Sequence, residues 1–324
     1  MSEAVSRMRT LGSSGPNLAP LGIGTWIMGG AWRMGWGPQQ DDESIRTLHD
    51  AWDRGINWVD TAPIYGLGHA EELTGRALAG RDDVLVFTKC GMQWDAAGHL
   101  GAIDLRPDAI RAECEASLRR LDREVIDLYQ LHFPDPTIPI EESWGTMAEL
   151  VDEGRVRWVG LSNHSVDEVR RAHALRPVDS VQARLHLLDQ RNTVDLLPWC
   201  QHADVGVLAY SPLASGLLAG PVQRSTLAHD DWRREDARFA LEQRGASDVL
   251  AAMQRLAPGQ TTATAAIAWV VAQSGVTAAI VGARSTDELV ALEAAANLTL
   301  TPEVVRTLAE SAGEVAFEER PQWR

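Results

Sequence analysis

The chain has 324 residues, of which 45% are hydrophobic and 23% are charged, a composition typical of a globular protein with a full-sized core. Asp and Glu together number 45 against 30 Lys and Arg, and the formal net charge of −15 argues against a nucleic-acid partner because a phosphate backbone would be repelled. No apolar stretch reaches the roughly 20 residues that cross a bilayer, and the polar N-terminus lacks the apolar middle of a signal peptide, so we predict a cytoplasmic protein without a membrane partner.

The pattern of apolar residues predicts alternating helices and strands from the N-terminus onward. MRTLG and LAPLG, separated by SSGPN, predict a β-hairpin at the start. Residues 41–54 carry an apolar stripe on one helical face, formed by Ile45, Leu48 and Trp52, and Gly55 is placed to end that helix. Further helices are predicted from Pro107, over residues 140–153, and after the capping boxes Ser165 to Glu168 and Ser285 to Glu288.

Eight short apolar runs alternate with these helices and predict buried strands. They cover residues 21–26, 57–60, 84–89, 126–132, 156–162, 180–183, 206–210 and 278–282. Eight parallel strands, each followed by a helix, are typical of a (β/α)8 TIM barrel, an α/β fold that needs about 250 residues. Residues 211–247 have little periodicity and predict a long loop after strand seven. No break divides the alternation, so we predict that residues 1–324 form a single domain.

A doubly wound dinucleotide-binding sheet is the main alternative fold. Its phosphate-binding fingerprint, GxGxxG between a strand and a helix, does not occur, because Gly66-Leu67-Gly68 continues with Glu71 at the third glycine position. The Walker pattern is also absent from the sequence. A nucleotide would therefore have to be bound by a different architecture.

Polar side chains collect at the predicted carboxyl ends of the strands, where TIM barrels carry their active sites. Asp60 ends strand two and Tyr65 follows in the next loop, while Lys89 ends strand three and His132 ends strand four. The ends of strands five to seven carry further polar residues: Ser162, Asn163, Gln182 and Tyr210. The polar groups of all these strands are therefore expected to meet at one rim of the barrel.

The first four of these residues make chemical sense as a group. An ammonium beside a phenol lowers the pKa of the phenol, so we expect Lys89 to activate Tyr65, with Asp60 pairing the buried ammonium and His132 polarising a carbonyl oxygen. Each residue alone also fits a structural role, such as a rim ion pair, surface packing or a satisfied buried histidine. Their occurrence at successive strand ends favours the catalytic interpretation, a proton donor for a carbonyl that accepts a hydride.

Six segments, in order along nearly the whole chain, are similar to segments of the aldo-keto reductase superfamily, particularly its bacterial and channel-β-like branch. DTAPIYGLGHAEE (60–72), TKCG (88–91) and DLYQLHFPDP (127–136) resemble the catalytic segments. GLSNHS (160–165), AYSPLASGLLAG (209–220) and VGAR (281–284) resemble the cofactor segments. The resemblance implies an NADP(H)-dependent oxidoreductase in which Tyr65 is the general acid and base of a tetrad completed by Asp60, Lys89 and His132.

The resemblance also implies a site for an extended NADPH. Three residues would bind the nicotinamide carboxamide and a fourth would stack on the ring: Ser162, Asn163, Gln182 and Tyr210. The pyrophosphate would pass Ser211, Leu213 and Gly216. The adenosine end would be held by Gly282, Arg284, Ser285 and Glu288.

Some positions of the cofactor segments depart from the family pattern. Glu288 stands where many relatives have a glutamine, and Ala291 and Leu292 replace an acid and an asparagine. Leu185 and His186 stand where a tyrosine and an asparagine are frequent. A carboxylate at position 288 does not favour a phosphate, but the guanidinium of Arg284 favours NADP(H) over NAD(H) as the cofactor.

The substrate pocket is expected among the loops after strands one, three and four and the long loop after strand seven. These loops carry six aromatic residues, of which Trp26, Trp32, Trp94 and Phe133 are the predicted pocket residues; the other two are Trp36 and Trp232. Such walls suit a sugar or sugar-derived aldehyde or ketone, which is our predicted substrate class. The chain has 12 tryptophans, so for Trp32 and Trp94 a packing role is an equal alternative.

Two other functions and the state of assembly remain open at this point. Some relatives bind nucleotide mainly as regulatory or redox-sensing partners of other proteins, although a complete tetrad argues against loss of chemistry. A metal-dependent hydrolase is disfavoured because the 9 histidines include no HxH or HExxH pair and the three cysteines, Cys90, Cys114 and Cys200, include no CxxC. We therefore predict no metal site, three reduced thiols and a small-molecule carbonyl partner, with a homo-oligomer as one alternative for the assembly.

Overall fold

The computed structural model describes residues 8–313, apart from residues 31, 224, 226, 228 and 230. It begins with the expected hairpin, in which β1 (Arg9–Thr10) pairs antiparallel with β2 (Asn17–Leu18). A second small hairpin, β6 (Met92–Trp94) and β7 (Leu100–Ile103), lies in the loop after the third barrel strand and was not predicted. No helix of the described residues is long and apolar enough to span a membrane.

The predicted barrel is confirmed. Its strands are β3 (Leu21–Gly24), β4 (Trp58–Asp60), β5 (Leu85–Cys90), β8 (Ile126–Leu131), β9 (Val156–Ser162), β10 (Ser180–Arg184), β11 (Gly206–Tyr210) and β12 (Ala278–Val281). They pair in parallel in chain order, and the β12–β3 pair closes the barrel. Each of the eight predicted runs overlaps one of these strands, with ends that agree within two residues.

The helices cover the outside of the barrel. They are α1 (Asp41–Asp53), α2 (His69–Ala77), α3 (Pro107–Leu121), α4 (Ile140–Asp152), α5 (Val166–Leu175), α6 (Leu196–His202), α7 (Ala237–Leu256), α8 (Thr262–Val271), α9 (Thr286–Asn297) and α10 (Pro302–Ser311). The capping box at Ser165 and Glu168 forms as predicted. The box predicted at Ser285 does not form, because the Glu288 carboxylate instead accepts a hydrogen bond from the backbone N–H of Arg284.

The predicted loop over residues 211–247 is too long at its C-terminal end. Between β11 and Asp236, the described residues include short 310 helices at Ala214–Gly216 and Trp232–Arg234, and α7 begins at Ala237. The Asp236 side chain caps α7 by accepting from the backbone N–H of Phe239 at 2.6 Å. Periodicity did not reveal the helix because its buried stripe includes a charged residue, Glu242, among apolar ones.

The half of the barrel interior nearer the amino ends of the strands is filled by apolar side chains. Successive side chains of a strand point to opposite faces, and the inward set includes Trp58, Phe87, Leu128 and Leu208, all fully buried. A Cβ on Gly22 would lie 2.1 Å from the Trp58 ring, so only glycine leaves room for this indole. The N-terminal hairpin packs Leu11 and Leu18 against the same cluster, so the site lies at the opposite, carboxyl end.

Candidate active site

Four polar side chains meet at the carboxyl end of the barrel. Asp60 ends β4 and Lys89 lies in β5, and Lys89 Nζ is 2.6 Å from Asp60 Oδ1 and 3.3 Å from the Tyr65 hydroxyl. The rings of Tyr65 and His132 meet edge to face, with centroids 5.9 Å apart. The structure thus brings together the four residues that we grouped from the sequence.

The loop that carries Tyr65 is fixed by a close backbone approach. Tyr65 donates its backbone N–H to the carbonyl oxygen of Ala62 at 3.1 Å, and Gly66 follows with a φ of 63°. A Cβ on Gly66 would lie 2.1 Å from the carbonyl oxygen of Gly29 in the loop after β3. A glycine is therefore required directly after Tyr65, both for the left-handed backbone and for the contact.

The ion pair beneath the phenol is buried and its charges are compensated. Lys89 is fully buried and the Asp60 side chain is only 3% exposed. Lys89 also donates to the carbonyl oxygen of Thr61 at 2.9 Å, while Asp60 Oδ2 accepts from Gln182 Nε2 at 2.8 Å and from Gln130 Nε2 at 3.5 Å. A buried ion pair is tolerated only when its remaining hydrogen-bonding capacity is satisfied in this way.

The pKa of Tyr65 corrects the expectation from the sequence. Burial raises the pKa of the phenol well above its ordinary value, and the negative charge of Asp60 adds to the effect. Burial also lowers the pKa of Lys89, although the Asp60 carboxylate opposes that change. Because the ammonium is already paired with Asp60, it does not produce the lowered phenol pKa that we expected. Tyr65 therefore keeps its proton at neutral pH, which suits a proton donor.

His132 is a neutral hydrogen-bonding group in this site. Burial lowers the pKa of its imidazole well below the ordinary value, and the charge of Lys89 acts in the same direction. The ring stacks on Phe133 with centroids 5.1 Å apart, and no hydrogen bond from it to another described side chain is present. A neutral imidazole has one donor and one acceptor nitrogen, so His132 can donate to a substrate oxygen beside Tyr65.

The residues at the ends of β8, β9 and β11 form a second polar group. Tyr210 donates its hydroxyl to Asn163 Oδ1 at 2.7 Å. Asn163 Nδ2 in turn donates to Ser162 Oγ at 3.0 Å and to the carbonyl oxygen of His132 at 2.9 Å. These bonds span three strand ends and fix the Tyr210 ring at the mouth of the barrel. The amide of Asn163 is already used in this network, and Gln182 Nε2 is likewise hydrogen-bonded to Asp60 and Gln130, so both amides are held in fixed orientations.

A cavity of about 460 Å³ runs from this mouth along the ends of β11 and β12. Most of the residues assigned from the sequence line it: Trp26, Asp60, Tyr65, His132, Phe133, Ser162, Asn163, Gln182, Tyr210, Ser211, Leu213, Gly216, Gly282, Arg284 and Glu288. Lys89 lies beneath Tyr65 and does not line the cavity, and neither does Ser285 at the start of α9. The same cavity is lined by Tyr65 and His132 at the mouth and by Arg284 and Glu288 after β12, so it connects the regions that the resemblance assigned to the two ends of a dinucleotide.

Two of the predicted pocket tryptophans lie to one side of the cavity. Trp32 packs against Tyr65 with ring centroids 6.4 Å apart, and Trp94 lies in β6. Both pack on a small apolar cluster formed by Ala62, Ile64, Met92 and Phe133. They support the loop of Tyr65 from outside and are not among the residues that line the cavity.

The structure adds two aromatic residues, Trp36 and Trp232, to the lining of the cavity. Trp232, from the loop after β11, packs on Trp26 with ring centroids 5.8 Å apart. Trp36 lies under the guanidinium of Arg233, with Cζ 4.2 Å from the ring centroid. Trp36 and Trp232 were noted only as loop aromatics, and the pairing of distant loops is not visible in the sequence.

A buried charge network behind Tyr210 also escaped the sequence analysis. Arg184, at the end of β10, lines the cavity and donates through Nη2 to both oxygens of Glu242 at 2.9 and 3.2 Å. His186, Asp189 and Glu242 have the spacing of metal ligands. Both carboxylates, however, already pair with guanidinium groups, Glu242 with Arg184 and Asp189 with Arg191. The network therefore anchors α7 to β10, and both of its carboxylates already have cationic partners.

The family is shown by comparison with known proteins. The model of the aldo/keto reductase family matches residues 20–312. The chain belongs to this family. The aldo-keto reductase YhdN of Bacillus subtilis is 34% identical over 306 residues, covering 91% of this chain and 90% of that protein. The NADH-specific methylglyoxal reductase of Escherichia coli is 33% identical over 311 residues, covering 90% of this chain and 94% of that protein.

Solved structures of the family share the whole fold. A glycerol dehydrogenase of Gluconobacter oxydans superposes with a TM-score of 0.86 at 33% identity, covering 97% of this chain and 98% of that one. An aldo-keto reductase of Bacillus halodurans gives a TM-score of 0.79 at 25% identity, covering 97% and 98%. The chain is thus an oxidoreductase of a family that uses nicotinamide cofactors and acts on small carbonyl compounds, as the resemblance implied.

Proposed function

We propose that this aldo-keto reductase reduces a neutral carbonyl compound, with Tyr65 as the proton donor. The observation that carries the proposal is the contact between the Tyr65 hydroxyl and the buried Lys89–Asp60 pair, next to the neutral imidazole of His132, with Tyr65 and His132 both lining the cavity. A reduced nicotinamide dinucleotide, when bound, supplies the hydride. This chain must then deliver one proton to the carbonyl oxygen and hold that oxygen in place.

The residues of this site divide that work. Tyr65 transfers its hydroxyl proton to the carbonyl oxygen as the hydride reaches the carbonyl carbon, so the C=O double bond becomes an alcohol. His132 donates a hydrogen bond to the same oxygen and orients it. Lys89, held by Asp60, stabilises the negative charge that develops on Tyr65 as its proton leaves. In the oxidising direction, Tyr65 would act as the base.

The dinucleotide would lie along the cavity with its nicotinamide at the mouth. Ser162 and Gln182 would bind the carboxamide, Tyr210 would stack on the ring, and Ser211, Leu213 and Gly216 would line the path of the pyrophosphate. Two features support the proposal that the adenosine binds near the start of α9. Arg284 lines the cavity, and Ser285 leaves the first amides of α9 without a side-chain cap, so that they are available to an anion. NADP(H) is the proposed cofactor because the Arg284 guanidinium would meet the 2′-phosphate.

The substrate class follows from the walls around Tyr65. Trp26, Phe133 and Trp232 line the cavity; Phe133 stacks on the His132 ring, and the two indoles pack on each other. Indole and phenyl faces bind the C–H faces of sugars and small polyols as well as flat rings. The names of two similar proteins, a glycerol dehydrogenase and a methylglyoxal reductase, support small oxygenated substrates. We therefore propose a sugar or a sugar-derived aldehyde or ketone.

The remaining proposals concern the setting of the enzyme. The three cysteines are separate, buried free thiols, as is usual in reducing compartments. This supports a cytoplasmic location.

The proposed function is tested with the purified chain, a reduced dinucleotide and a panel of neutral aldehydes and ketones. We expect loss of the dinucleotide absorbance at 340 nm and one equivalent of the alcohol by mass spectrometry for each equivalent consumed. Tight dinucleotide binding with no alcohol from any member of the panel would contradict the proposal and favour a regulatory nucleotide-binding protein.

A further inference from the structure

Arg284 and Glu288 form a pair at the adenosine end of the cavity. Arg284 follows β12, and Glu288 lies in the first turn of α9. Glu288 Oε2 accepts from the backbone N–H of Arg284 at 2.9 Å, and Glu288 Oε1 lies 3.6 Å from Arg284 Nη2. Both side chains line the cavity. The guanidinium that would meet a phosphate is therefore already in contact with a carboxylate.

The neighbours of this pair keep it in position. Gln39 Nε2 donates to the carbonyl oxygen of Arg284 at 2.9 Å, so the backbone of residue 284 is held from two sides. The Arg284 guanidinium lies 5.9 Å from the Trp36 ring. The first turn of α9 also carries a second acid, Asp287, and no basic residue. The first turn of α9 thus carries two carboxylates, of which that of Glu288 contacts Arg284.

The two cofactors would meet this pair differently. A 2′-phosphate carries negative charge and only acceptor oxygens at neutral pH, so it must compete with Glu288 for Arg284 and is repelled by the carboxylate. An unphosphorylated ribose has a 2′-hydroxyl, which can donate to Glu288 Oε1 while the Arg284 contacts remain. The pair is nearly half exposed, with 47% and 44% of the two side chains accessible. Solvent screening therefore keeps the difference in affinity between the two cofactors moderate.

We propose that Glu288 is a specificity residue that suppresses the preference for the phosphorylated cofactor, so that this site accepts NADH within about tenfold of NADPH. The inference rests on the dinucleotide site of the proposed function. Arg284 attracts the 2′-phosphate, and Glu288 offsets that attraction while offering an acceptor to the free ribose. Removal of the Glu288 charge should then increase the selectivity for NADPH.

The test uses two fragments that report on this end alone, 2′,5′-ADP and 5′-ADP, titrated into the full chain by calorimetry. We expect Glu288→Gln to tighten 2′,5′-ADP by about tenfold and to leave 5′-ADP unchanged or weaker, with the gain shrinking as salt rises. Asp287→Asn is the matched control, because it removes the same charge from the same turn at a residue that does not line the cavity. It should change either affinity by less than about threefold.

The possible results separate the inference from the proposed function. Equal gains in Glu288→Gln and Asp287→Asn would reveal a general charge effect and overturn the role of Glu288. Weaker binding of 2′,5′-ADP by Glu288→Gln would show that the carboxylate supports the phosphate site, which also overturns it. Failure of both fragments to bind the parent protein would instead remove the dinucleotide site, and with it both proposals.

Discussion

Replacing Lys89 by Met would leave the Asp60 carboxylate without its cation inside the barrel mouth. Removing one partner of a buried ion pair costs about 3–5 kcal/mol, because the remaining charge stays desolvated. Asp60 would keep the hydrogen bonds from Gln182 at 2.8 Å and Gln130 at 3.5 Å, so we expect the lower end, about 3 kcal/mol. That is a large part of the 5–15 kcal/mol that stabilises a typical domain.

The double variant Lys89→Met with Asp60→Asn provides the matched control. It removes both charges and keeps a side chain of similar size at each position, so we expect it to be more stable than Lys89→Met alone by about 2 kcal/mol. The assay is urea unfolding followed by tryptophan fluorescence, with circular dichroism as a second probe. The reasoning would be refuted if the two substitutions were additive, or if Lys89→Met unfolded at the same urea concentration as the parent.

Three further predictions concern groups away from this pair. Burial raises the pKa of Glu113 from 4.5 to about 8. The contribution of this group to the free energy of unfolding is therefore full below pH 4.5 and is lost as the pH rises to about 8. In that window the free energy of unfolding falls by up to about 1.4 kcal/mol per pH unit. Glu113→Gln should make the urea midpoint depend less on pH between pH 5 and pH 8 than it does in the parent. Parallel plots of midpoint against pH for the two proteins would contradict this. Glu242→Ala leaves the buried Arg184 with only the more distant Asp189 carboxylate, at 3.6 Å, and should cost about 3 kcal/mol. The exposed Glu235→Ala should cost less than about 0.5 kcal/mol, and similar losses in urea would disprove the anchoring role. Arg284→Ala should weaken NADPH far more than NADH in fluorescence titrations, through loss of a charge-assisted contact, and a matched loss for both would remove Arg284 from the phosphate site.

The barrel and the polar rim could be predicted because both follow from local patterns. Each barrel strand is a short apolar run, and Asp60, Lys89, His132, Ser162 and Tyr210 come at or just past the end of such a run. Once the strands are parallel and closed, these ends must meet, so the grouping needs no knowledge of distances. The family resemblance added the assignment of roles, which the pattern alone does not supply.

The parts that could not be predicted depend on contacts between distant elements. The start of α7 was missed because Glu242 interrupts its apolar stripe, and that residue is buried only because Arg184 of β10 pairs with it. The pKa of Tyr65 depends on how completely Asp60 neutralises Lys89 and on burial, neither of which the sequence contains. Trp32 and Trp94 lie in loops, where no period fixes the side-chain direction, so their position beside the cavity could not be chosen in advance.

The central claim is that the Tyr65 hydroxyl gives its proton to the substrate. Tyr65→Phe removes only that hydroxyl and keeps the ring that packs against Trp32 and His132. Single-turnover reduction by this variant, loaded with the reduced dinucleotide, should be slower than that of the parent by about 10²–10⁴, the usual contribution of general acid catalysis. Its affinity for the dinucleotide should stay within about twofold of the parent's, because the hydroxyl acts in the transition state of proton transfer and not in dinucleotide binding. Reduction by Tyr65→Phe at a rate within about threefold of the parent would contradict the account.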